Sequence, residues 1–237
     1  MTDDEAEVIL NQYQDLEERL GAVLQVVPFS TSNSLVVIPR LANLIVDAGS
    51  LIDTIFREEF PPPKPGSKHE PTIREFAPHY EKLLELSKIK AVLYQHPASY
   101  VDPFTGWIAP TTGNYQPLQW WVDYNKLKHA RITEMNRSTL HTAIAALGAL
   151  FALMARMDTF FDALLRHDMV DLNGISLDGP LRELLKLLET RKVIHSILIE
   201  SELFAITRGC QTFPADIFQS QAQKLWRQKV VEISRAA

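Results

Sequence analysis

The chain has 237 residues, 46% of them apolar and 22% charged, with a net charge of −5. These proportions fit a globular domain that buries a core without staples, and the acidic balance argues against a surface broadly coated for nucleic acid, though not against a local basic site. The single cysteine, Cys210, excludes an internal disulfide framework and a cysteine metal cluster, and it fits a reducing, cytoplasmic setting.

The first residues, Met1-Thr2-Asp3-Asp4-Glu5, are acidic, the opposite of a signal peptide's basic start. The most apolar stretch, Thr142 to Met154, is too short to span a bilayer, so no membrane association is expected. Thr2 with Glu5 three residues on forms a capping-box pattern. Val8, Ile9, Tyr13, Leu16, Leu20, Val23 and Leu24 then recur at helical spacing, and Gly21 weakens the end of this first helix. Pro28 to Ser34 reads as a loop, and the β-branched Leu35 to Ile38 as a short extended piece. Pro39 suits the first turn of a second helix running through Leu41, Leu44, Ile45, Leu51, Ile52, Ile55 and Phe56.

Phe60 to Gly66 is rich in proline, which favours an extended connection; a loop within one domain explains it better than a domain boundary. A third helix is expected over Thr72 to Tyr94. Gln95 to Pro117 reads as a long irregular connection, packed down by Phe104, Trp107 and Tyr115. The apolar pattern Leu140, Ile144, Leu147, Phe151, Met154, Phe161 and Leu165 predicts a fourth helix from about Leu118 to His167, unusually long and open to a break. Asn173-Gly174 and Asp178-Gly179 mark turns. A fifth helix follows Pro180 through Leu181, Leu184, Leu185, Leu188, Val193 and Ile197, and a last one covers Asp216 to Ser234. The expected fold is an all-α helical bundle in a single domain over residues 1–237, with residues 171–237 as a C-terminal helical extension.

Chemistry concentrates in Trp120 to Arg131, which sets Asn125, Lys126, Lys128, His129 and Arg131 shortly after paired tryptophans. If one helix runs back from the apolar pattern at about 100° per residue, His129 lies roughly 20° from Leu140, Asn136 roughly 40° and Asn125 roughly 60°. Polar groups on a core stripe must find hydrogen-bond partners or line a cavity, which marks the segment as the candidate site. His129 has the intrinsic pKa range for proton transfer near neutral pH, Asn125 one turn earlier is placed to orient it, and Arg131 is the third candidate catalytic group. Lys126, Lys128 and Arg137 are candidate phosphate binders. The alternative is a buried Asn125–His129 pair that ties the helix to its neighbours, with the cations merely solvated; core packing explains the tryptophans better than base stacking. The seven histidines never stand in pairs at one-turn helical spacing, so neither metal nor cofactor is expected.

The string Trp120-Trp121-Val122-Asp123-Tyr124-Asn125-Lys126-Leu127-Lys128-His129-Ala130-Arg131 resembles a WWxxYNxxKHxR signature of bacterial HEPN-like helical proteins. Val37-Ile38-Pro39-Arg40-Leu41 with Ser50-Leu51-Ile52-Asp53, and Pro103-Phe104 with Trp107, are similar to other parts of that pattern, so the likeness covers roughly residues 35–165. The resemblance implies a helical bundle, commonly homodimeric, and a metal-independent endoribonuclease of a bacterial anti-phage defence or toxin system, with RNA as substrate and a protein partner or antitoxin as a restraint. Family ribonucleases place four to six residues between an arginine and a following histidine, whereas Arg137 to His141 and Arg191 to His195 leave three between. The reading from a different class is a non-catalytic helical interaction module that binds a protein partner or small ligand, with the loop from Gln95 to Pro117 as its binding surface.

Overall fold

The computed structural model describes residues 1–62, 69–95, 98–171 and 197–208. The chain is mostly helical, but the expectation of an all-α fold is corrected by a five-stranded antiparallel sheet. Helix α1 (Asp3–Leu24) starts on the expected capping box: the Glu5 N–H donates to Thr2 Oγ1 (3.3 Å) and the Thr2 N–H to Glu5 Oε2 (2.7 Å). It buries Ile9, Tyr13, Leu16 and Leu20, whereas Val8, placed on the same stripe by the spacing, is exposed. Helix α2 (Leu41–Glu59) follows Pro39 as expected, and Val37 before it is extended, bridging to Thr139.

Helix α3 (Ile73–Leu84) stops well short of Tyr94. Glu85 adopts a left-handed conformation (φ 51°) that ends it, and Ala91–Leu93 form strand β1. The sequence from Ile89 to Tyr94 is a short apolar run, a length and composition that suit a buried strand better than three more helical turns. Strand β2 (Ser99–Val101) pairs with β1. Three further strands, β3 (Val170–Asp171), β4 (Ile197–Glu200) and β5 (Phe204–Arg208), complete the order β2-β1-β5-β4-β3. Val92 stands opposite Ala205, and Val170 opposite Ile199. The predicted fifth helix reached Ile197, which begins β4; the rest of that helix, the last helix, Arg191, His195 and Cys210 lie outside the described residues.

The predicted fourth helix is three. Helix α4 (Gln119–Ala130) is followed by a non-helical connection with one short 3₁₀ turn, then helix α5 (Leu140–Arg156), and α6 (Phe161–Arg166) comes after a second 3₁₀ turn. Thr139 makes the break: its Oγ1 accepts from the Thr142 N–H (3.1 Å) and caps α5. Helix α5 is apolar all round because it is covered all round. It packs on α1, α2 and α4, and on the sheet, where Phe151 stacks on Phe204 (5.8 Å) and Val101 lies 3.2 Å from where a Cβ on Gly148 would stand. No single helix among the described residues is long and apolar enough to cross a membrane. Helices α5 and α6 reach that apolar length only together, bent by 87°, and α5 is buried throughout its middle.

Candidate functional site

Helix α4 is positioned by its apolar side. Trp120, Trp121, Tyr124 and Leu127 are buried. Trp120 Nε1 donates to the Pro103 carbonyl (2.7 Å), and Trp121 packs on Phe56 of α2 (6.5 Å). The tryptophans are therefore core residues, as their type suggests. Tyr124 reaches the α2 backbone at Gly49, where an added Cβ would fall 2.4 Å from the ring. Gly49→Ala forces α2 and α4 apart, so we expect a loss of about 2 kcal/mol despite alanine's better helix propensity. Urea unfolding measures it, and a Tyr124→Leu background should relieve much of the penalty; equal cost in both backgrounds would remove the steric explanation.

Phase within α4 reverses the expected orientation of its polar groups. Because residues 131–139 are not helical, no angular relation carries from Leu140 back to His129. At about 100° per residue, His129 lies roughly 180° from Trp120 and roughly 160° from Leu127. It is exposed, as are Lys126, Lys128, Arg131 and Asn136, and it has no hydrogen bond or ion pair among the described residues. The inward Asn125–His129 pair is likewise absent: half-buried Asn125 donates to the Trp121 carbonyl of its own helix (2.8 Å).

The remaining candidates divide by what holds them. Lys126 extends into solvent. Lys128 donates to the Tyr124 hydroxyl (2.9 Å), and this contact, with Asp53 nearby, raises its ammonium above the ordinary lysine range. Arg131 donates to Asn43 of α2. Arg137 is engaged by two carboxylates, Glu134 (2.5 Å) and Asp123 (2.7 Å).

Asp123 is the polar group that does face inward, and the reading of the sequence passed it over. Its Oδ1 accepts from Gln119 Nε2 (2.8 Å) and Arg137 Nη1, and its Oδ2 from Thr142 Oγ1 (3.1 Å). A signal existed: within α4, Asp123 lies roughly 60° from Trp120 and roughly 40° from Leu127 in helical phase, on the same face as both. Structure thus leaves Lys126, Lys128 and His129 exposed on one helix, with Lys126 and Lys128 roughly 160° apart in phase on either side of His129, sets Arg131 just past its end, and commits Arg137 to the interior network. The chain matches no family model, no curated protein and no solved structure.

Proposed function

We propose that the protein is a HEPN-like module that takes RNA on the outer face of α4, where Lys126, Lys128 and Arg131 hold phosphate and His129 moves the proton of a metal-independent cleavage. The observation that carries this reading is the exposure of an imidazole without a partner among the described residues, with Lys126 and Lys128 on the same helix and Arg131 just past its end, in an otherwise acidic protein. In such a cleavage the ribose 2′-oxygen attacks phosphorus, the bond to the 5′-oxygen breaks, one group accepts the 2′ proton and another supplies a proton to the leaving oxygen. One face offers a single imidazole, so two copies related by a two-fold axis make the fuller site.

The test is RNA incubated with the purified protein in chelator, beside His129→Ala and the pair Lys128→Ala/Arg131→Ala. The parent is expected to release fragments with cyclic phosphate ends. His129→Ala should bind but not cut, with an unchanged melting temperature because its side chain is exposed and makes no hydrogen bond or ion pair among the described residues, and the double variant should bind more weakly with a shallower salt dependence. RNA left uncut and unbound by the parent overturns the reading.

A second reading, a non-catalytic interaction module, draws support from the internal engagement of Asn125, Arg131 and Arg137. It expects RNA to remain intact and His129→Ala to be silent in every assay.

A further inference from the structure

Five of the eight large apolar side chains that stand exposed among the described residues gather at one end of the molecule: Val26, Leu35, Val36, Val37 and Ile132. The chain topology brings them there. Arg19 of α1 pairs with Asp47 near the start of α2, and Arg131 beyond the end of α4 pairs with Asn43, so the ends of α1 and α4 lie beside the start of α2. The segment before α2 runs alongside the start of α5: the Ile38 N–H donates to the Ser138 carbonyl (3.0 Å) and the Leu140 N–H to the Val36 carbonyl (3.1 Å). Ile132 is 91% exposed, Val26 80% and Leu35 75%. Single exposed aliphatics are ordinary, but a group of them on adjoining turns marks an interaction surface.

The charge around this group has one sign in excess. Arg40 and Arg131 are exposed here. Of the carboxylates, Asp47 and Glu134 are already ion-paired with Arg19 and Arg137, and Glu18 lies six residues back from the end of α1. We infer that this end docks an acidic protein segment carrying aliphatic side chains, whose carboxylates meet Arg40 and Arg131 while its apolar side covers Ile132 and Leu35. A second copy of the chain is a poor occupant, because a two-fold contact sets like charges opposite each other. RNA makes no use of the aliphatics, and a membrane surface is normally anchored by exposed aromatic rings, which this end does not present among its exposed side chains. The inference shares Arg131 with the RNA reading but rests on Val26, Leu35 and Ile132, which play no part in that reading.

The probe is a labelled peptide of about 20 residues built from glutamate and leucine, with the leucines on one helical face. Fluorescence anisotropy at physiological salt compares it with a scrambled isomer, polyglutamate, an RNA oligomer and vesicles containing phosphatidylserine. We expect the amphipathic peptide to bind, the variant Leu35→Ser/Ile132→Ser to weaken it by about tenfold, and Arg40→Glu to weaken it further. Both sets of changes are at exposed positions, and thermal melting confirms that the variants fold. Four results overturn the proposal: no peptide binding, equal binding of polyglutamate or the scrambled isomer, vesicle or RNA binding that depends on Leu35 and Ile132, or a dimer in sedimentation that Ile132→Ser dissociates.

Discussion

Asp123→Ala is expected to lower folding stability by about 3 kcal/mol in urea unfolding, the low end of what breaking a buried ion pair costs. The carboxylate is 5% exposed and serves three donors from three places: Gln119 on its own helix, Arg137 in the connection and Thr142 in the first turn of α5. Removing it leaves the Thr142 hydroxyl only the Thr139 hydroxyl (2.9 Å) and strips Arg137 of one of two carboxylates. Arg137 retains Glu134 and is 30% exposed, so water replaces part of what is lost, which places the estimate at the bottom of the range. Asp123→Asn keeps one acceptor oxygen but turns an N–H₂ toward a donor, so its cost should fall between the parent and alanine. A double-mutant cycle with Arg137→Ala is expected to give a coupling of about 1–2 kcal/mol. Additive effects would mean that the two side chains act separately. Asp123 also ties α4, the helix that presents His129, to the connection and to α5.

How much of this was legible beforehand depends on the range of the signal. Helices α1 and α2 were readable because their apolar spacing is local, and α1 adds a local cap in which Thr2 and Glu5 make both bonds the pattern implies. The break between α4 and α5 was harder to see. The apolar pattern of α5 is dense enough to extend backward in either phase, since nearly every residue of that helix is buried. Ser138-Thr139 was the available stop-and-start signal, and reading it would have cancelled the angular inference that put His129 inside. The strands failed for a different reason. Residues 91–93, 197–200 and 204–208 are brief runs: β1 pairs with β5 more than a hundred positions away, and nothing local reports such a partner, whereas β4 and β5 form a local hairpin that the expected fifth helix, running to Ile197, did not anticipate. At the candidate site, residue types and spacing singled out α4, but the orientation of its polar groups came only with the packing of Trp120, Tyr124 and Leu127. Asn43, the α2 partner of Arg131, carries no local mark at all.

The largest effect is expected at Glu17, where α1 grips the hairpin of β4 and β5. The carboxylate is 3% exposed. Its Oε1 accepts from the Leu203 N–H (2.8 Å), the Tyr13 hydroxyl (2.9 Å) and the Ser201 hydroxyl, and its Oε2 from the Glu202 N–H (3.3 Å). Glu17→Ala leaves a backbone donor and two hydroxyls in the core without this acceptor, a loss of about 4 kcal/mol. Glu17→Gln preserves an oxygen in place of Oε1 and gives up only the long contact of Oε2, so it should cost far less. Acid separates these two variants from the parent in a second way. Burial pushes the Glu17 carboxyl above the usual glutamate value of 4.5, against the opposing pull of its hydrogen bonds. A carboxyl raised in the folded state holds its proton more tightly there than in the unfolded chain, so protonation favours folding; that contribution is full below the unfolded value and is lost as pH rises through the folded one. The stability of the parent relative to Glu17→Gln should therefore grow as pH falls from neutrality toward 4.5. A difference that stays flat or shrinks over that interval would show that the hydrogen bonds from Leu203, Tyr13 and Ser201, rather than burial, govern the ionisation of this carboxyl.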